Sequence, residues 1–431
     1  MRRVLIITYY WPPSGGSAVL RWLKFTKYLG GFGWEPAIYT PLNPEPQEID
    51  ESMNSDIPPN IRVIKKRIFE PYSIYKFITG KKQDERLGVA LMDQGKKKSF
   101  MNRLSIWIRS NLFIPDPRVF WVKPSVRFLS DYLKKHPFEA IITTGPPHSM
   151  HLIGLELKTK TGIRWIADFR DPWTKIDFYA QLSLTERSDQ RHRYLEKKVL
   201  NNADHIITVS PGMTEEFRAT GINNVTTITN GYDSETIHPN SSSDRLFTLV
   251  HLGSMPKTRN PGNFWKAVAD LINDRSDLKE SIKIRLIGKI DFEVKQSIKV
   301  NQLDDFVSLE PYIPHAETLN VLASASVLLL FINNSENAKG ILTNKFFEYL
   351  SAKRPVIGIG PTDGDAAYIL NEAEAGRMFE YDDHSGLKSY LSELFDLYSQ
   401  NLLNVEPRNI EKYSRRNLAM QLSELLNSIV K

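Results

Sequence analysis

Eleven short apolar runs separated by stretches of helical periodicity constrain this chain more than any other feature. Residues 4–9, 36–40, 61–65, 140–144, 165–169 and 205–209 make one series; 247–252, 284–287, 307–309, 327–331 and 356–359 make a second. A strand that is apolar along its whole length must be covered on both faces, the situation of a parallel sheet between layers of helices. At 431 residues the chain also exceeds what one core usually supports. Between the two series lie Asn230, Gly231 and the turn-rich stretch 238–244, a polar linker. The expected architecture is α/β: two doubly wound, Rossmann-like domains facing a central cleft, with the first at 1–235 and the second beginning at 245.

Hydrophobic residues make up 41% and charged residues 25% of the chain, which sets aside disordered and fibrous classes. Cysteine is absent, so disulfides, thiolate metal sites and cysteine nucleophiles are excluded. The opening MRRVLIITYYWPP imitates a secretion signal, but Pro12 and Pro13 break it early and no Ala-x-Ala follows. A first strand is expected there instead. No apolar run approaches the roughly 18 residues of a membrane span. The net charge of +6 suits anionic partners, whether nucleotides, phospholipid heads or nucleic acid.

In parallel sheets ligands bind at the carboxyl ends of strands, and the candidate residues gather there. Gly15 and Gly16 follow the first strand, where glycines let backbone amides approach a substrate, although a tight strand-to-helix turn explains them equally. The spacing is not Gly-x-Gly-x-x-Gly, which weakens a dinucleotide reading. His148 follows the fourth strand, and Arg170 and Asp171 the fifth; an Arg beside an Asp is as readily a loop fastener as a functional pair. In the second series Gly253, Lys257 and Arg259 follow one strand, Gly288 the next, and Tyr312 lies in the loop 312–315. Lys345 and Glu348 stand three apart on an expected helix, so cation and carboxylate project the same way. Such a face suits a ligand with both phosphate and vicinal hydroxyls, a nucleoside diphosphate; a plain surface ion pair is the alternative. Gly340, Ile341, Leu342 and Thr343 precede that helix, whose first amides suit phosphate.

The run TNKFFEYLSAKRPVIGIG at 343–360 resembles the donor-nucleotide motif of family 4 glycosyltransferases. The Pro-Pro-Ser-Gly-Gly loop at 12–16 is similar to the family's N-terminal loop, and Phe-Arg-Asp-Pro-Trp at 169–173 to a segment of a bacterial subgroup. The resemblance implies a bacterial enzyme of the two-domain GT-B fold, with a donor domain at 245–408 and a last helix within 409–431 that crosses back to the first domain. It further implies that Arg259 and Lys257 hold the donor diphosphate, that the 312–315 loop contacts the base, and that Glu348 takes the ribose hydroxyls. Many members carry a second glutamate eight positions earlier, near the donor sugar; here that position is Gly340, and Glu336 is out of register.

The expected activity is retaining transfer from a nucleotide-diphosphate sugar to a glycan or lipid-linked acceptor. His148, Arg259 and Lys345 form the catalytic set, with Arg170 and Asp171 on the acceptor side. No cofactor or metal is expected, since a clear Asp-x-Asp is missing and the basic residues supply positive charge. Nucleic acid is not expected as a partner. A nucleotide-sugar epimerase of the same fold and a non-catalytic binding protein are the alternatives. Within 81–127, eleven Lys or Arg stand against four Asp or Glu. Lys96, Lys97 and Lys98 precede Met101, Leu104, Trp107, Ile108 and Leu112 at helical spacing, flanked by Arg103 and Arg109. A basic helix of this kind lies on an anionic bilayer or packs as a core helix, so the expected place is the cytoplasm, at its membrane face if the first holds.

Overall fold

The computed structural model describes residues 1–45, 48–69, 107, 108, 110–233 and 246–430. They form two compact units: the first holds residues 1–229 with 415–431, the second residues 230–414. Most of the basic stretch, including Lys96, Lys97, Lys98, Met101, Arg103, Leu104 and Arg109, lies outside the described residues, as does the linker 238–244.

The first unit is a seven-stranded parallel sheet in the order β3-β2-β1-β4-β5-β6-β7. Its strands are β1 Arg2–Ile7, β2 Trp34–Pro41, β3 Arg62–Lys66, β4 Ala140–Gly145, β5 Arg164–Phe169, β6 His205–Thr208 and β7 Val225–Thr227. Among the described residues, helices α1 Ser17–Leu29, α2 Val119–Lys135, α3 Ser149–Thr161, α4 Glu186–Asn202 and α5 Pro211–Ala219 alternate with them. Val4, Leu5, Ile6 and Ile7 are all buried, as the continuous apolar run requires. The sequence gives no strand at β7, which has three residues, two of them Thr, and sits at the sheet edge where less burial is demanded.

The second unit has six parallel strands in the order β10-β9-β8-β11-β12-β13. They are β8 Phe247–Leu252, β9 Ile282–Ile287, β10 Val307–Glu310, β11 Val327–Phe331, β12 Val356–Ile359 and β13 Gly376–Phe379. The helices are α6 Gly262–Asp274, α7 Ser276–Ser281, α8 Phe292–Val300, α9 His315–Ser324, α10 Asn344–Ser351, α11 Asp365–Glu372 and α12 His384–Ser399. The other strand without a sequence signal, β13, opens on Gly376 at φ +150°, where a Cβ would come within 2.0 Å of the Val356 oxygen. That contact, rather than an apolar run, seats the edge strand.

Helix α13 Arg415–Ile429 belongs to the first unit. Leu418, Ala419, Leu422 and Leu426 are buried in one cluster with Val19, Leu20, Trp22 and Leu23 of α1. Asn427 Oδ1 accepts from Trp34 Nε1 at 3.2 Å and from Arg2 at 3.0 Å. The return to the first unit was expected from 409; the turn Glu411–Tyr413 stays with the second unit instead. Tyr232 pairs in parallel with Ser414, so the two connecting segments run side by side.

Candidate active site

In each sheet the chain reverses its winding once, between β1 and β4 and between β8 and β11. Loops on either side of such a point leave a crevice at the strand ends.

In the first unit the loop after β1 carries Gly15 and Gly16. The Gly15 amide donates to Glu48 O at 2.9 Å, and a Cβ on it would meet Asp50 Cβ at 3.0 Å. This glycine therefore serves the loop's own packing, and its N–H is spent on the fold. Gly16 differs: at φ +89° it precedes α1, and a Cβ there would meet nothing within 4 Å.

Deeper, Asp168 of β5 is wholly buried and gathers three donor side chains, two from α1 and one from β4. Arg21 of α1 pairs with it at 2.9 Å, Trp22 Nε1 donates at 2.8 Å and Thr144 Oγ1 at 2.8 Å. Arg21 also donates to the carbonyls of Ile228 and Thr229 at 2.8 Å each. A buried charge persists only when paired and hydrogen-bonded, and this one ties α1, β4, β5 and the segment after β7 at the strand ends.

His148 immediately precedes α3 and is 8% exposed. Its ring stacks on Trp173, with centroids 4.8 Å apart and planes at 6°. Nδ1 has no hydrogen-bond partner among the described residues, and neither does Nε2 of the buried His151. Both atoms crowd Gly145, whose added Cβ would sit 3.0 Å from one and 2.6 Å from the other. Burial, then the neighbouring His151 and Arg170, hold the His148 imidazolium well below its usual range. Burial drives His151 down to about 3. Both rings are neutral at physiological pH, so His148 can accept or donate but carries no charge. Arg170 donates to the Pro146 carbonyl, with Nε unpartnered, whereas Asp171 is exposed.

The second unit assembles a cationic site at the ends of β8 and β11. Arg259 Nε donates to Asn333 Oδ1 at 2.8 Å and its NH1 to Ser254 O at 2.8 Å, spanning the reversal point. Lys345, in the first turn of α10, directs Nζ to Leu252 O at 2.8 Å and to His251 Nε2 at 3.2 Å. Nδ1 of His251 donates to Leu329 O at 2.9 Å, which leaves Nε2 as the acceptor for the lysine. One turn on, Tyr349 accepts from the Leu252 N–H at 2.9 Å. Both polar groups of Leu252 are thus held by one face of α10. Desolvation, then the charge of Arg259, push the Lys345 ammonium well below its usual range. No carboxylate pairs with Lys345 among the described residues.

Gly253 at φ +109° and Gly288 at φ +129° pack against each other; a Cβ on Gly288 would lie 2.8 Å from the Gly253 carbonyl. Their amides donate to Ile287 O and Glu310 O, so both are engaged in the fold. Lys257 is exposed and already paired with Glu293 at 2.7 Å. Tyr312 is exposed. Gly340 ends a short turn and Ile341 is half-buried, while Leu342 is buried in the apolar cluster with Phe346. Thr343 precedes α10, and its buried hydroxyl has no partner among the described residues. Glu348 is 5% exposed and lies 3.9 Å from Nε2 of His315 at the start of α9.

The structure thus brings Arg259 and Lys345 together around the β8 end and sets Lys257 aside at the surface. Sequence reading passed over Asn333, His251 and Tyr349 in this unit, and Trp173 and His192 in the first. The available signal was a polar residue inside an apolar strand, as in His251 and Asp168.

Residues 89–236 match the family model described as Glycosyltransferase Family 4. No curated protein sequence matches the chain. Sucrose-phosphate synthase from Thermosynechococcus elongatus is similar over 100% of this chain and 95% of its own, at 15% identity and a TM-score of 0.60. S. aureus TarM, in complex with fondaparinux, alpha-GlcNAc-glycerol and UDP, covers 99% and 100% at 11% identity and a TM-score of 0.61. A putative UDP-N-acetylglucosamine 2-epimerase from Listeria monocytogenes covers 99% and 96% at 11% identity and a TM-score of 0.56. Residues 89–236 thus resemble glycosyltransferase family 4, and the two parallel-sheet domains have the GT-B fold of these structures.

Proposed function

We propose that the protein is a retaining glycosyltransferase that takes a sugar from a nucleotide-diphosphate donor, without a metal, and places it on a glycan or lipid-linked acceptor of a polysaccharide or cell-surface glycan. The observation that supports this is Lys345, whose Nζ meets Leu252 O and His251 Nε2 but, among the described residues, no carboxylate, and whose ammonium is disfavoured by burial and by the charge of Arg259. Two cations held together in a poorly solvated place repel each other, and an anion relieves both the repulsion and the lost hydration. A diphosphate has the charge to do so, and the buried Thr343 hydroxyl offers a further donor. Glu348 then takes the ribose hydroxyls.

In the reaction the bond from the anomeric carbon to the diphosphate breaks, and Arg259 and Lys345 stabilise the charge that develops on the departing oxygen. The acceptor oxygen bonds to the anomeric carbon on the same face, and its proton passes to the leaving diphosphate. Neutral His148 positions the sugar. Calorimetry with UDP and a panel of sugar nucleotides, followed by a transfer assay, tests the reading; failure of every donor to bind rejects it. Transfer should survive EDTA, and loss of activity restored by Mg²⁺ or Mn²⁺ would reject the role given to Arg259 and Lys345.

The fold shared with the Listeria epimerase keeps a second reading in view, in which free sugar nucleotide is epimerised. Incubation without acceptor separates the two. We also assign the basic stretch 81–127 to an anionic membrane surface on the cytoplasmic side. At its described end Trp107 and Leu112 are exposed, and among the described residues no helix is long and apolar enough to cross a bilayer. Binding to anionic vesicles should be strong at low salt and fall as salt rises; no binding at low salt rejects it.

A further inference from the structure

We propose that Trp173 and His192 are positioning residues that hold the His148 ring in its working orientation; the proposal deepens the glycosyltransferase reading and rests on it. Asp189, His192 and Glu196 lie along one stripe of α4, and each grips the loop that leaves β5. Tyr179 donates to Asp189 Oδ1 at 2.9 Å, Trp173 Nε1 donates to His192 Nδ1 at 3.1 Å, and Thr174 donates to Glu196 through its amide at 3.2 Å and through its hydroxyl. An indole N–H can only donate, so Nδ1 of His192 accepts and the neutral ring is the Nε2–H tautomer.

That N–H is the only hydrogen-bonding group on the indole, so the bond to His192 sets the plane in which Trp173 lies. The plane is shared by His148, stacked on it at 6°. On its far side the His148 ring meets His151 and Phe169, at centroid distances of 5.8 and 6.0 Å. With Nδ1 against Gly145, the ring can reach a ligand only through Nε2. A ring flip would carry Nε2 away, and the flip requires Trp173 to give way. His192 therefore acts on His148 through Trp173 without touching it.

Trp173→Phe keeps a stacking ring and removes the N–H; His192→Leu removes the acceptor; His192→Asn offers an amide oxygen near the place of Nδ1. Steady-state transfer should show Trp173→Phe and His192→Leu each lowering kcat roughly ten- to a hundredfold, with donor KM little changed. The double variant should be no worse than either single one, because both act through one contact. His192→Asn should recover most of the rate, and Trp173→Phe should cost nothing further in a His148→Ala background. A wild-type kcat in Trp173→Phe, or additive losses, overturns the proposal. Nitrogen-15 NMR of the histidine rings in the free protein gives a reading independent of catalysis. It should show His192 as the neutral Nε2–H form and a displaced His148 signal in Trp173→Phe. If the native protein transfers from no donor, the glycosyltransferase reading fails, and unchanged His148 signals then reject the positioning as well.

Discussion

Glu348 and Gly288 show how differently two residues named from sequence alone enter the structure. Glu348 is a buried carboxylate 3.9 Å from Nε2 of His315, and it stands one turn along α10 from Lys345, on the same face. Glu348→Ala should raise the dissociation constant for the best nucleotide at least tenfold, about 1.5–3 kcal/mol, measured by calorimetry. An unchanged constant removes it from the site. Gly288, by contrast, is required for backbone reasons: φ +129° is closed to side chains, and its Cα faces the Gly253 carbonyl. Gly288→Ala should cost roughly 1–3 kcal/mol in urea unfolding. The motif search saw both as ligand positions, because a glycine that admits a ligand and a glycine that admits another strand look the same in one sequence.

Among elements, α10 is the one whose placement decides the proposed donor site, and its tether is Leu252. Lys345 accounts for the carbonyl and Tyr349 for the amide. Tyr349→Phe leaves that N–H buried and unpaired, which should destabilise the protein by about 1–3 kcal/mol. Thermal melting checks this, and an unchanged midpoint would show that α10 is held by its apolar face alone. The interior strands were legible because burial on both faces writes them as continuous apolar runs; β8, β11 and β12 have the bounds read from sequence. The edge strands β7 and β13 were not, since an edge needs less apolar surface. Lys345 and Glu348 could be placed on one helix by spacing. Leu252, which Lys345 bonds, and His315, which stands near Glu348, lie 93 and 33 positions away, and no local pattern encodes such pairings.

At the scale of the whole molecule, five histidines among the described residues, His148, His151, His192, His205 and His251, have imidazolium forms depressed chiefly by burial. Their folded pKa lies below the unfolded 6.5, so the stability they lend is complete above that value and is lost as pH falls through it. For His151 the loss continues toward about 3. A ring costs up to about 1.4 kcal/mol per pH unit over the range between 6.5 and its folded pKa. The urea midpoint should therefore drop between pH 7.5 and 5.5 with proton uptake on unfolding; a flat profile would show that these rings charge in the folded state. Helix α13 bears on a different property, the order in which the molecule is made. Because it shares a buried cluster with α1, the first unit lacks part of its covering until residues 415–429 have left the ribosome. The whole second unit is synthesised in between. The domain begun first is the domain finished last, and for most of translation α1 exposes apolar surface that a chaperone would have reason to hold.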